Sequence, residues 1–166
     1  MGLANFAIPE GGKVVNIFSP QHCGALTGDY VSLKGYHKAY FIISWDGIAQ
    51  ANTQDFHLYG APIVSGVGGA VDQIMYNYWS IQGTQAALLL TDTLTKGASG
   101  VTVFTTTVSL AGMLIIEVDP ADYSALGFDC FTIHADASNA GNFMSCVAIL
   151  IPGRYQEANP PSAIVD

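Results

Sequence analysis

Apolar and polar residues alternate with a period of two along much of this chain. Leu114, Ile116 and Val118 share one side of a stretch whose other side carries Ile115 and Glu117, and Phe131, Ile133 and Ala135 oppose Cys130, Thr132 and His134. Successive side chains of an extended backbone point to opposite faces, so this period predicts strands with one face in a core. Helical spacing is nearly absent. Between turn signals, β-rich runs recur at 14–18 (ending at Ser19-Pro20), 30–33, 39–45 (closed by Asp46-Gly47), 55–59, 73–80, 100–109, 113–118, 129–135 and 142–151. About nine strands at this spacing predict an all-β fold, an antiparallel, jelly-roll-like β-sandwich.

Residues 142–151 are apolar on both faces and stop at Pro152-Gly153, which predicts a central strand in a covered sheet. One short helical turn is expected at Asp119-Pro120-Ala121-Asp122-Tyr123. Asp119 can accept from the free N–H groups of a first turn, Pro120 suits the first helical position, and Gly127 would end the turn. Its job would be to carry the chain across the end of the sandwich. Beyond Gly153 the pattern changes: Pro160-Pro161 excludes a helix or an inner strand, yet Ile164-Val165 is apolar. The chain therefore divides into an N-terminal arm (1–12), a sandwich domain (13–153) and a C-terminal arm (154–166). An arm that cannot enter its own sheet but stays apolar is expected to lie on a neighbour. The expected contact residues are Phe6 and Ile8 in the first arm and Arg154, Tyr155, Pro160, Pro161, Ile164 and Val165 in the second.

Composition sharpens this picture. Half of the 166 residues are hydrophobic and only 11% are charged, against roughly 25% in an average domain. So few charges suit a surface largely covered by partners. The net charge of -8, from 13 acids against 5 bases, excludes a phosphate-binding stripe: Lys13, Lys34, Lys38, Lys96 and Arg154 are scattered, so neither nucleic acid nor an anionic membrane is an expected partner. No apolar run approaches the ~20 residues of a membrane helix, and the first ten residues lack the basic start and apolar core of a secretion signal. Three cysteines, Cys23, Cys130 and Cys146, cannot all pair, and synthesis in a reducing cytoplasm is expected.

The motifs offer little chemistry. Gly66-Val67-Gly68-Gly69 lacks the strand-to-helix setting and Lys-Ser/Thr ending of a phosphate loop. Gly97-Ala98-Ser99-Gly100 is not a serine elbow. Cys130 and His134 share a strand face, and Cys146 could join them from a neighbouring strand, but paired Cys-x-x-Cys spacing is missing; no metal and no cofactor are expected. His22, His37 and His57 have no nearby ligand pattern, and Asp119 with Asp122 reads as helix capping. Tyr76, Tyr78 and Ser80 on one face, with Asn77 and Trp79 on the other, could form a sugar platform but more often fill a core. No enzyme is expected.

Several segments together resemble a family of small structural proteins of tailed bacteriophages, encoded beside the major capsid protein and described as head decoration proteins. They are Lys13-Val14-Val15-Asn16-Ile17-Phe18-Ser19-Pro20, Gly28-Asp29-Tyr30-Val31-Ser32-Leu33-Lys34, Ile115-Ile116-Glu117-Val118-Asp119-Pro120-Ala121-Asp122, Gly127-Phe128-Asp129-Cys130, and the ending Arg154-Tyr155 with Pro160-Pro161-Ser162-Ala163-Ile164-Val165-Asp166. The likeness spans most of the chain and is loose over 49–109. It implies a β-sandwich on the capsid exterior of a virion, with the major capsid protein as partner. It also implies a homo-oligomer, for which a trimer suits the symmetry points of a shell. The rival expectations are a tail or minor head protein, a glycan-binding sandwich on the virion, and a cupin-type enzyme.

Overall fold

The period-two pattern becomes twelve β-strands in a computed structural model that describes residues 12–22, 24–46, 53–66, 71–84, 93–136 and 143–153. They are β1 (Lys13–His22), β2 (Leu26–Thr27), β3 (Val31–Ser32), β4 (Tyr36–Trp45), β5 (Asp55–Ala61), β6 (Val71–Gln73), β7 (Asn77–Gly83), β8 (Thr95–Lys96), β9 (Val103–Thr105), β10 (Ala111–Val118), β11 (Cys130–Ala135) and β12 (Phe143–Pro152). Every pairing among them is antiparallel.

Two sheets pack face to face. The larger runs β1-β12-β4-β10-β7-β8; the smaller runs β2-β11-β5-β6, with β3 also on β11 and β9 also on β5. Strands from the two ends of the chain pair in order: β1 with β12, β2 and β3 with β11, β4 with β10, β5 with β9. The domain is thus one long antiparallel ribbon folded over itself, the wrapping of a jelly roll. Lys13 pairs with Leu150 at the open end of the ribbon, so the first and last described strands meet at one corner of the larger sheet.

The core lies between the sheets. On the larger sheet it is built in cross-strand rows: Cys146, Ile43 and Leu114, then Ala148, Phe41 and Ile116, then Leu150, Ala39 and Val118. Phe56, Leu58, Phe131 and Ile133 face them from the smaller sheet, all fully buried. Each such large side chain contributes about 1.5–3 kcal/mol by leaving water.

The helical turn forms as read. Asp119 Oδ1 accepts from the Ala121 N–H at 3.0 Å, Pro120 opens α1 (Pro120–Tyr123), and a 3-10 turn (Ser124–Leu126) stops at Gly127 with φ 71°. Only glycine takes that left-handed conformation without strain. The turn carries the chain from β10 in the larger sheet to β11 in the smaller. Tyr123 anchors it: the ring is buried against Phe131, and its hydroxyl donates to the Ile74 carbonyl at 2.6 Å.

Other boundaries differ from the sequence reading. Ser19-Pro20 does not stop β1, which continues to His22 with two register shifts; β1 is an edge strand, where a proline removes no needed ladder bond. Residues 73–80 are not one strand. They divide between β6 and β7, in different sheets, around Met75, which bridges Val101. Of 100–109 only Val103–Thr105 pairs as a strand. The two-residue strands β2 and β8 are too short to show a period. β12 is central, as expected, but its outer residues Val147, Ile149 and Ile151 are only half-buried by the described chain.

Candidate functional site

The outer face of the larger sheet is where the alternation breaks its usual rule. A solvated sheet face normally carries polar residues. Here one cross-strand row reads Asn16, Val147, Ile42, Ile115, Trp79 and Lys96. The next reads Val14, Ile149, Tyr40, Glu117 and Asn77. Val14 is 52% exposed and Met113 36%; Asn16 and Lys96 are exposed as well, and the remaining residues of the two rows are half-buried. At about 4.8 Å per strand, the row of six crosses about 24 Å. Its apolar part, Val147 to Trp79, spans about 14 Å, and a contiguous apolar surface marks a contact site.

The charges on this face are few and organised. Lys38 Nζ donates to Glu117 Oε1 at 2.8 Å, and the Tyr40 hydroxyl donates to Glu117 Oε2 at 2.9 Å. Burial pushes the Glu117 carboxyl up, but the bonds from Lys38 and Tyr40 outweigh it and hold it below the usual carboxylate range. The Lys38 ammonium is held above its ordinary value, chiefly by its bond to Glu117. Lys96 lies over the Trp79 ring, 5.5 Å from its centroid.

The outer face of the smaller sheet has a different chemistry. His57 and His134 are direct cross-strand partners. His57 Nδ1 lies 3.0 Å from Asp72 Oδ1, and His134 Nε2 lies 3.0 Å from Asp136 Oδ1. His57 Nε2 is 3.4 Å from Asp136 Oδ2, near enough for attraction but without a hydrogen bond. Thr27 Oγ1 is 2.8 Å from His134 Nδ1, and the Tyr59 ring stacks on His134 at 4.6 Å. Thr27, His134 and Asp136 share the connectivity of a hydroxyl–imidazole–carboxylate relay. A cleft of about 270 Å³ lies elsewhere, lined by Ser44, Trp45, Asp46, Phe143 and Ser145. The cluster is a polar clasp joining β2, β11, β5 and β6.

His57 carries no ligand signal in the sequence read as a line of residues. The overlooked signal is the spacing Asp55-x-His57 and His134-x-Asp136, which puts an acid and a histidine on one face of each strand. Only the pairing of β5 with β11 brings the two together.

The suspected metal trio separates. Cys146 faces the core between the sheets, while Cys130 lies in a second cluster with Tyr30 and Ala61 and His134 in the clasp. Among the described residues no group of three histidine, cysteine or acidic side chains is arranged to hold a metal ion, and no helix is long and apolar enough to cross a membrane. The aromatic run divides as well: Tyr78 packs edge-on against the core residue Phe104, while Trp79 joins the outer face. Cys23 and the expected contact residues Phe6, Ile8, Arg154, Tyr155, Pro160, Pro161, Ile164 and Val165 lie outside the described residues.

In fold the chain is similar to the SPBc2 prophage-derived protein YomS, with a TM-score of 0.50, 8% sequence identity, and a match covering 84% of this chain and 92% of that one. That likeness shows a shared architecture. No known family model matches the sequence, and no curated protein matches it.

Proposed function

We propose that this protein is a structural component of a tailed-phage virion that decorates and stabilises the assembled head. The observation that carries the reading is the outer face of the larger sheet, with apolar residues on five strands. Such a face is poorly suited to water and well suited to a flat protein surface. The prophage origin of a protein with a similar fold supports it, as does the resemblance of the opening and closing segments to head decoration proteins.

The mechanism would be mass action. A subunit that binds the assembled lattice but not free capsid subunits stabilises the lattice in proportion to occupancy. Many copies would then resist the outward pressure of packaged DNA. The test is co-sedimentation of the purified protein with assembled heads, with isolated tails and with unassembled capsid protein. Binding to heads alone, in many copies per particle, is expected. Binding to tails alone would replace this reading with a tail role.

A second reading rests on the cleft at the other end of the same sheet. Phe143, 45% exposed, stands beside the paired hydroxyls of Ser44 and Ser145 and the carboxylate of Asp46. An aromatic face beside hydroxyls and a carboxylate suits a sugar ring. A glycan array would detect it.

A further inference from the structure

We infer that the outer face of the larger sheet is the receptor for the C-terminal segment 154–166 of a neighbouring copy. The inference deepens the assembly reading above, resting on it only in treating this face as a docking surface.

Two observations choose the occupant. The first is position. Lys13 pairs with Leu150 at the corner of the larger sheet, and β12 ends two residues later at Pro152. The segment therefore departs from the rim of the sheet it would cover in the next copy, so a repeated arrangement brings donor and receptor together. Residues 154–166 span about 40 Å when extended, at about 3.3 Å per residue. That exceeds the roughly 24 Å breadth of the six-residue row.

The second is chemistry. The segment offers Tyr155, Pro160, Pro161, Ile164 and Val165, and the face offers Ile42, Ile115, Trp79, Met113, Val147 and Ile149. A Pro-Pro pair lowers the conformational entropy lost on docking, because it holds the backbone extended beforehand. Trp79 supplies a flat ring of the kind that proline-containing segments pack against.

The test is complementation between two full-length variants. One, Ile164→Asp/Val165→Asp, disables the segment and leaves the face intact. The other, Ile115→Asp, disables the face and leaves the segment intact. Light scattering should show the wild type self-associating as concentration rises and each variant alone at the single-chain mass of 17.5 kDa. An equimolar mixture should regain mass, and Trp79 of the segment variant should become protected from acrylamide when the face variant is added. Trp45, 6% exposed, contributes little to that signal. A misfolded variant would not complement. A wild type that stays monomeric at its solubility limit, or a mixture that stays monomeric, overturns the inference. If the wild type nevertheless binds heads, the decoration reading stands and only this pairing falls.

Discussion

Lys38 and Glu117 meet diagonally across neighbouring strands, Nζ to Oε1 at 2.8 Å, beside the apolar residues of the same sheet face. Their side chains are 29% and 13% exposed, so the pair is neither free in water nor deeply buried. It neutralises the Glu117 carboxylate, whose free charge would oppose apolar docking beside Ile115. Replacing Glu117 by Gln should cost about 1–2 kcal/mol in urea unfolding at pH 7.

The same pair makes an acid-dependence prediction. The Glu117 carboxyl is held below its ordinary value of 4.5. A depressed carboxyl contributes stability that is fully present above the unfolded value and lost as pH falls through the folded one. Wild type should therefore lose more stability than Glu117→Gln between pH 5 and the acid limit of folding. Equal losses in the two proteins would remove this role.

Gly112 makes a close approach that no side chain could share. A Cβ there would meet the Ile81 carbonyl oxygen and the Trp45 indole, the first of them backbone that cannot swing aside. Gly112→Ala should lower stability by about 1–3 kcal/mol in thermal unfolding, with Trp45 fluorescence altered.

Cys146 sits in the core at 1% exposure, and burial pushes its thiol well above the ordinary range. The native protein should protect Cys146 from a thiol reagent that labels it rapidly in urea. Cys146→Ser, which buries a hydroxyl among apolar neighbours, should cost about 1–3 kcal/mol.

Deleting 159–166 should leave the sandwich folded, because every described core residue lies before Gly153. Circular dichroism should keep its strand signature while retention on heads falls. Equal retention through heating would show that the segment adds nothing to attachment.

Much of the fold was legible because strand alternation and turn chemistry are local. Leu114, Ile116 and Val118 announced a half-buried strand, and Asp119-Pro120 with Gly127 announced the helical turn. Each cue acts within a few bonds of the backbone it shapes. Leu26-Thr27 and Thr95-Lys96 could not be read so: two residues have no period, and only a partner strand makes them extended. Gln73 and Asn77 look continuous in sequence because nothing local says that the chain changes sheets between them.

The candidate site was less legible, for the same reason. A polar–apolar period tells which residues share a face, and tells it correctly for Ile115 with Glu117 and for Cys130 with His134. It does not tell what lies across the gap. Cys146 falls into the core and Cys130 outside it because β11 and β12 belong to different sheets. His57 reaches His134 only because β5 pairs with β11 in one register, since a one-residue slip would turn every side chain to the other face. The apolar run 142–151 told that its strand is central, whereas the tertiary structure alone gathered its outer residues with those of β4, β7 and β10 on one face. The amino-acid sequence alone thus determined that this chain is a β-sandwich with unusually few charges, because those properties are sums over local residues. Which apolar residues would lie side by side, and on which side of the molecule, depended on long-range pairing that closes only when the whole ribbon folds.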